Sequence, residues 1–279
     1  MGTYWFDRSR LIEGGQWSLT AKGLPDRVDL DDFDASIAGL MHGWMLALNH
    51  EPVAAEPYLT TAVTALRTPP DDRLAQAAEL LVLTATVVWV GDMWSLATDI
   101  AALAMAAGRA ADRPHVVLRA ESLLAACELI VGDPAAGLAA ANQVLDANTV
   151  LGNDYAALFA YITKSLASRF TGDPIGGLRF SDEILRLQRA MGVHNVGNTL
   201  EVRGTLYLGL GQPLEAVRCF AASCAQNRRE GRPWPWHPGT DELLEQLRTG
   251  LNVTEFERSW ASGERLGLGD PGQLIAEWI

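Results

Sequence analysis

The stretch Ile130-Val131-Gly132-Asp133-Pro134-Ala135 decides the fold, because its centre recurs. Gly132-Asp133-Pro134 returns as Gly172-Asp173-Pro174 and, altered, as Gly211-Gln212-Pro213. Upstream, Gly91-Asp92-Met93 lies 41 residues before Gly132, and His50-Glu51-Pro52 lies 41 before that, so successive spacings are 41, 41, 40 and 39. One further step back lands on Ser9-Arg10-Leu11. Each mark has a mechanism: Gly ends one helix in a left-handed conformation, Asp caps the next, and Pro fits its first turn. Helix-compatible residues flank every mark. Connector signals separate the pairs at Thr68-Pro69-Pro70-Asp71, Asp112-Arg113-Pro114, Gly152-Asn153-Asp154 and Gly192-Val193-His194-Asn195. A fixed period of this length is the signature of a repeat architecture. The spacing predicts a stack of helical hairpins, each with a helix A and a helix B.

A finer register points the same way. Seven residues before each turn stand Gly43, Thr84, Ala125, Ser165 and Gly204; five after it stand Ala55, Leu96, Gly137, Gly177 and Ala216. All but Leu96, which Ala97 adjoins, are small. Glycine inside a helix costs about 1 kcal/mol against alanine, so its recurrence calls for a packing reason. Small residues on facing helices let the two backbones approach.

This register resembles the tetratricopeptide (TPR) repeat, with a small residue in helix A, Gly at the turn seven later and Ala five beyond. The resemblance covers residues 9 to about 227, although a period near 40 exceeds the usual 34. Long units of this kind resemble the repeat regions of MalT-like, LuxR-type ATPase-coupled transcriptional regulators of bacteria. The segments Tyr4-Trp5-Phe6, Leu11-Ile12-Glu13-Gly14 with Trp17, and Phe256-Glu257-Arg258-Ser259-Trp260-Ala261-Ser262-Gly263-Glu264-Arg265-Leu266 resemble the two ends of such regions. The resemblance implies a right-handed all-α solenoid of TPR-like hairpins over 1–230, with turns near 9, 50, 91, 132, 172 and 211. Over 231–279 it leaves a Pro/Trp loop and a C-terminal helical cap. It further implies a sensing or interaction domain of a signalling or transcriptional regulator, here without its nucleotide-binding module and its DNA-binding or cyclase module, and so cut from, or reduced from, something longer. A free-standing adaptor or assembly scaffold is the alternative.

Composition narrows the partner. Of 279 residues, 48% are hydrophobic and 20% charged, which excludes wholesale disorder. Lys and Arg total 22 against 34 Asp and Glu, a net charge of −12. That balance opposes phosphate backbones and anionic membranes. The longest uncharged stretch, Ala35 to His50, falls short of a span of about 20 residues. Cys127, Cys219 and Cys224 are odd in number and lack CxxC spacing, so they read as reduced thiols in a cytoplasmic chain.

Chemistry is sparse. The histidines His42, His50, His115, His194 and His237 have no zinc-ligand spacing and read as turn and surface residues. No GxSxG, GxGxxG or GxxxxGK[ST] occurs. Asp29-Leu30-Asp31-Asp32-Phe33-Asp34 lacks the Gly and late Glu of an EF-hand and reads as a helix start before Ala35. No cofactor and no enzymatic activity are expected. Three prolines and two glycines in Gly231-Arg232-Pro233-Trp234-Pro235-Trp236-His237-Pro238-Gly239 forbid a helix there. Trp234 and Trp236 serve either the cap or an exposed aromatic anchor. Short helices follow: Thr240 to Arg248, Thr254 to near Gly263, and one from Asp270-Pro271.

In a TPR-like stack the A helices line the concave surface. Carried over by register, the groove positions include Leu40 and Trp44, Leu81 and Trp89, and Arg119. The fourth unit supplies Leu158, Ile162, Arg169 and Phe170, and the fifth Asn198 and Glu201. Two readings stay open. Either these residues pack against one another as core, or they form an apolar trough with Arg119, Arg169, Asn198 and Glu201 at one end. Such a trough suits a protein or peptide partner, or a small apolar effector. A homodimer through an apolar edge is a further expectation.

Overall fold

A computed structural model describes residues 32–49, 51–193, 196–229, 234–235 and 239–279. Thirteen α-helices run through them, and no strand occurs among the described residues. Helix α1 is Asp32–Leu48, α2 Pro52–Arg67, α3 Leu74–Val90, α4 Trp94–Ala110 and α5 Pro114–Val131. Then come α6 Pro134–Leu151, α7 Asp154–Thr171, α8 Pro174–Ala190, α9 Gly197–Gly209 and α10 Pro213–Arg229. Thr240–Gly250, Val253–Leu268 and Pro271–Trp278 form α11, α12 and α13. The breaks between α1 and α2, α3 and α4, α5 and α6, α7 and α8, and α9 and α10 all fall on the glycine-bearing or His50-Glu51-Pro52 marks. The Ser9 mark and the N-terminal segment through Trp17 lie outside the described residues, as do His50, His194, Trp236 and His237.

The marks break helices for more than one reason. Gly172 and Gly211 take φ of +70° and +68°, the left-handed conformation that closes a helix. At Gly91 the left-handed residue is instead Asp92, at φ +60°. A side chain on Gly91 would lie 2.7 Å from the Ala47 carbonyl oxygen, so close approach of backbone is what selects glycine there. The capping role of aspartate holds where Pro follows: Asp133 accepts from the Ala135 amide and Asp173 from the Gly176 amide, each at 2.9 Å.

The described residues divide into two compact units within α7, between Thr163 and Lys164. In the first, consecutive helices pack as neighbours, α1 with α2, α3 with α4, and α5 with α6. Alternate helices pack as well: α1 with α3, α3 with α5, and α2 with α4. Small residues sit where the hairpin register puts them. Ala55, Thr84, Ala97 and Ala125 are buried, and a Cβ on Gly137 would lie 2.8 Å from the Ala125 carbonyl oxygen. The Trp44 indole donates to Thr84 Oγ1 at 3.2 Å, a hydrogen bond between residues 40 apart in the chain. His42, expected at the surface, is a core residue. It lies on the buried face of α1 with its ring edge-on to Tyr58 at 4.7 Å. Asp71–Val90 is long and apolar enough to cross a membrane, a feature missed by counting only uncharged stretches; most of it is buried within this unit.

In the second unit α9 pairs with α10, and α8 with α9. Ser165 donates to the Gly177 carbonyl at 3.1 Å, and Gly204 lies against the Phe220 ring. The C-terminal helices belong to this unit. Leu274, Ile275 and Trp278 of α13 join Leu185, Val196, Leu200, Cys219 and Ala222 in one apolar cluster. Arg203, almost fully buried, donates to Asp182 at 2.6 Å and to the Trp278 carbonyl at 3.2 Å. Arg218 lies over the Trp278 ring at 4.9 Å and pairs with Glu277. Trp234 is half-buried; its indole donates to Ser223 at 3.0 Å and meets Trp260 edge-on.

Helix α12 corrects the sequence reading. It was expected to end near Gly263 but continues to Leu268. Gly263 and Gly267, one turn apart, lie against the Arg218 and Ala222 carbonyl oxygens of α10, flanked by the methyls of Ala221 and Ala225. Here glycine serves approach of two backbones inside a helix, not termination.

Candidate functional site

The sequence-derived groove residues separate into core and surface. Leu40, Trp44 and Leu81 are buried and fill the first unit's interior, where Trp44 is anchored to Thr84. Trp89 is 8% exposed. Arg119 and Ile162 are half-buried. In the second unit Glu201 is fully buried and accepts the Thr240 hydroxyl at 2.7 Å. Arg169 is exposed; desolvation of part of its guanidinium lowers its pKa, and the Glu201 carboxylate opposes that shift. Phe170 is 70% exposed, and Asn198 is half-buried with a buried Oδ1 that has no hydrogen-bond partner.

Within the first unit, Trp89, Arg119 and Ile162 come together. Arg119 on α5 donates Nη2 to Thr86 Oγ1 on α3 at 3.3 Å, and its guanidinium lies 4.4 Å above the Tyr155 ring on α7. Trp89, one turn beyond Thr86, meets Phe159 edge-on at 5.3 Å. Phe159 follows Tyr155 by one turn, and Ile162 follows Phe159 by another. Residues three and four apart on a helix are neighbours at about 5–6 Å. These contacts therefore bring α3, α5 and α7, the first helices of three successive hairpins, to one face. The cluster combines one cation, three aromatic rings and an aliphatic side chain. His115 on α5 and Glu79 on α3, bonded at 2.6 Å, stand closer to the N-termini of those two helices.

The Trp89 Nε1–H in this cluster is buried and has no acceptor. A buried donor without a partner costs about 1–3 kcal/mol. The aromatic contacts offset that cost at about 0.5–1.5 kcal/mol for a ring pair.

The sequence reading missed Thr86, Tyr155 and Phe159. Phe159 was within reach: thirteen residues before Gly132 is Arg119, and the same count before Gly172 gives Phe159, not the Leu158 first assigned. Leu158 is buried elsewhere in the interior. Among the described residues no group of three or more His, Cys, Asp or Glu side chains is arranged to hold a metal ion. Burial raises the thiol pKa of Cys127 and Cys219, and of Cys224 despite the opposing field of Arg228. These thiols are therefore protonated and poor nucleophiles near neutral pH.

No family model, curated protein or solved structure matches this chain.

Proposed function

We propose that this chain is a right-handed stack of TPR-like hairpins with a repeat near 40 residues. Its role is to bind a protein, peptide or small apolar effector through the face formed by the first helix of each hairpin. Following the family resemblance, it is the sensing or interaction part of a signalling or transcriptional regulator, and it performs no catalysis of its own. The observation that carries this reading is the meeting of half-buried Arg119, Tyr155 and Ile162 with the buried rings of Trp89 and Phe159, from α3, α5 and α7. In a repeat stack, side chains from alternate helices form a continuous surface that no single hairpin could supply. Aromatic rings with an arginine are the residue types that anchor binding surfaces.

A photo-reactive benzoylphenylalanine separates this face from the rest of the chain. Placed at Ile162 in the native cell, it is expected to form one defined adduct. Placed at Val150, 87% exposed on α6, it is expected to form none. Adducts from Val150 alone, or equally from both positions, would contradict the assignment of the binding face.

A further inference from the structure

We propose that the cluster on α3, α5 and α7 binds a monocarboxylate with an apolar body, such as a medium-chain or aryl acid. The inference deepens the proposed function and rests on its binding face. It starts from the donor without an acceptor. Trp89 Nε1–H is buried, with the indole edge-on to the Phe159 ring, and an indole nitrogen only donates, so its missing partner must be an acceptor. Arg119 on α5, bonded to Thr86 one turn before Trp89, brings a guanidinium with five N–H donors in a planar fork. Thr86 Oγ1 takes a bond from Nη2, and the Tyr155 ring fixes the plane from below, so the cation is oriented by both neighbouring helices. A carboxylate satisfies this arrangement: one oxygen accepts from the indole, and the other adds a charge-assisted bond to the guanidinium. A cationic or purely donating ligand would leave the indole unsatisfied.

The surroundings restrict the remainder of the molecule. Tyr155, Phe159 and Ile162, on successive turns of α7, add two rings and an aliphatic chain to the cluster, which suits an apolar body. On the N-terminal side the Glu79 carboxylate, held by His115, repels a second negative group. A monoanion is therefore favoured over a dicarboxylate or a phosphate dianion.

The test uses the whole chain with 15N-labelled tryptophan and octanoate as probe. Trp89→Phe assigns the Trp89 indole N–H resonance. Octanoate is expected to move that resonance downfield and saturably. Octanamide, of the same length but uncharged, is expected to bind at least about tenfold more weakly, and Arg119→Met to weaken octanoate by a similar factor. The octanoate–octanamide comparison needs no variant, so it decides even if Arg119→Met fails to fold. Equal affinity for octanamide and octanoate at Trp89 would overturn carboxylate recognition while leaving an apolar effector face in place. An unmoved Trp89 resonance with either probe would overturn this site, whereas the benzoylphenylalanine result tests the broader reading independently.

Discussion

Replacing Gly263 and Gly267 together by alanine is expected to destabilise the second unit by more than about 3 kcal/mol. Overpacking a well-packed contact costs about 1–3 kcal/mol per site, and the obstacle here is backbone. A methyl at Gly263 would meet the Arg218 carbonyl oxygen, and one at Gly267 the Ala222 carbonyl oxygen. Neither oxygen can swing aside as a side chain would, because each belongs to the hydrogen-bonded interior of α10. The helices must separate, and Phe256 and Trp260 of α12 then lose their contact with Phe220 and Val217. Gly39→Ala is the matched control. Nothing lies within 4 Å of a Cβ there, so the change is expected to be neutral or to stabilise α1 by up to about 1 kcal/mol. Urea midpoints followed by far-UV circular dichroism measure both. A double substitution as harmless as Gly39→Ala would show that α12 does not rest on α10 in this way.

Trp44→Ala is expected to cost about 3–5 kcal/mol, the range for truncating a buried large aromatic residue. The ring is 4% exposed, and its removal opens a cavity beside Leu40 and Ala47 while depriving Thr84 of a donor. The Thr84 hydroxyl still donates to the Leu80 carbonyl at 2.6 Å, so most of the loss is packing rather than an orphaned polar group. Trp44→Phe retains most of the volume and is expected to recover more than half the stability. A small loss in Trp44→Ala, by thermal or urea unfolding, would mean that this ring lies on a binding surface after all. The groove and core alternatives for the first hairpin are separated by that number.

Helix boundaries were legible in the sequence because their causes are local. Gly172 and Gly211 adopt a conformation that other residues resist, and Asp133 and Asp173 cap the helices that follow. Burial was not legible from the same register. Trp89 and Phe170 both stand two residues before a turn glycine, yet Trp89 is 8% and Phe170 70% exposed; whether such a residue is covered depends on the packing of neighbouring helices, which spacing does not encode. Contacts between first helices show that packing directly. Trp44 and Thr84 meet 40 residues apart, but Glu79 and His115 meet at 36, and Thr86 and Arg119 at 33. A groove carried over at a constant period therefore overlooks Thr86 and Tyr155. Gly263 illustrates a different gap. A glycine late in a helix reads as its end, and only the alanine stripe of α10 opposite it shows that it is an approach point.

The proposed stacking of equivalent hairpins is tested most directly by removing one full period. Deleting residues 92–132 joins Gly91 to Asp133 and takes out α4 and α5 together; deleting residues 94–113 takes out α4 alone. In a stack where each hairpin meets only its neighbours, the remaining units can close over a whole missing repeat but not over half of one. Thermal unfolding of the full-period deletion is predicted to stay cooperative, with helical signal reduced in proportion to its length, while the single-helix deletion loses its transition. Equal loss of cooperativity in both chains would contradict the repeat.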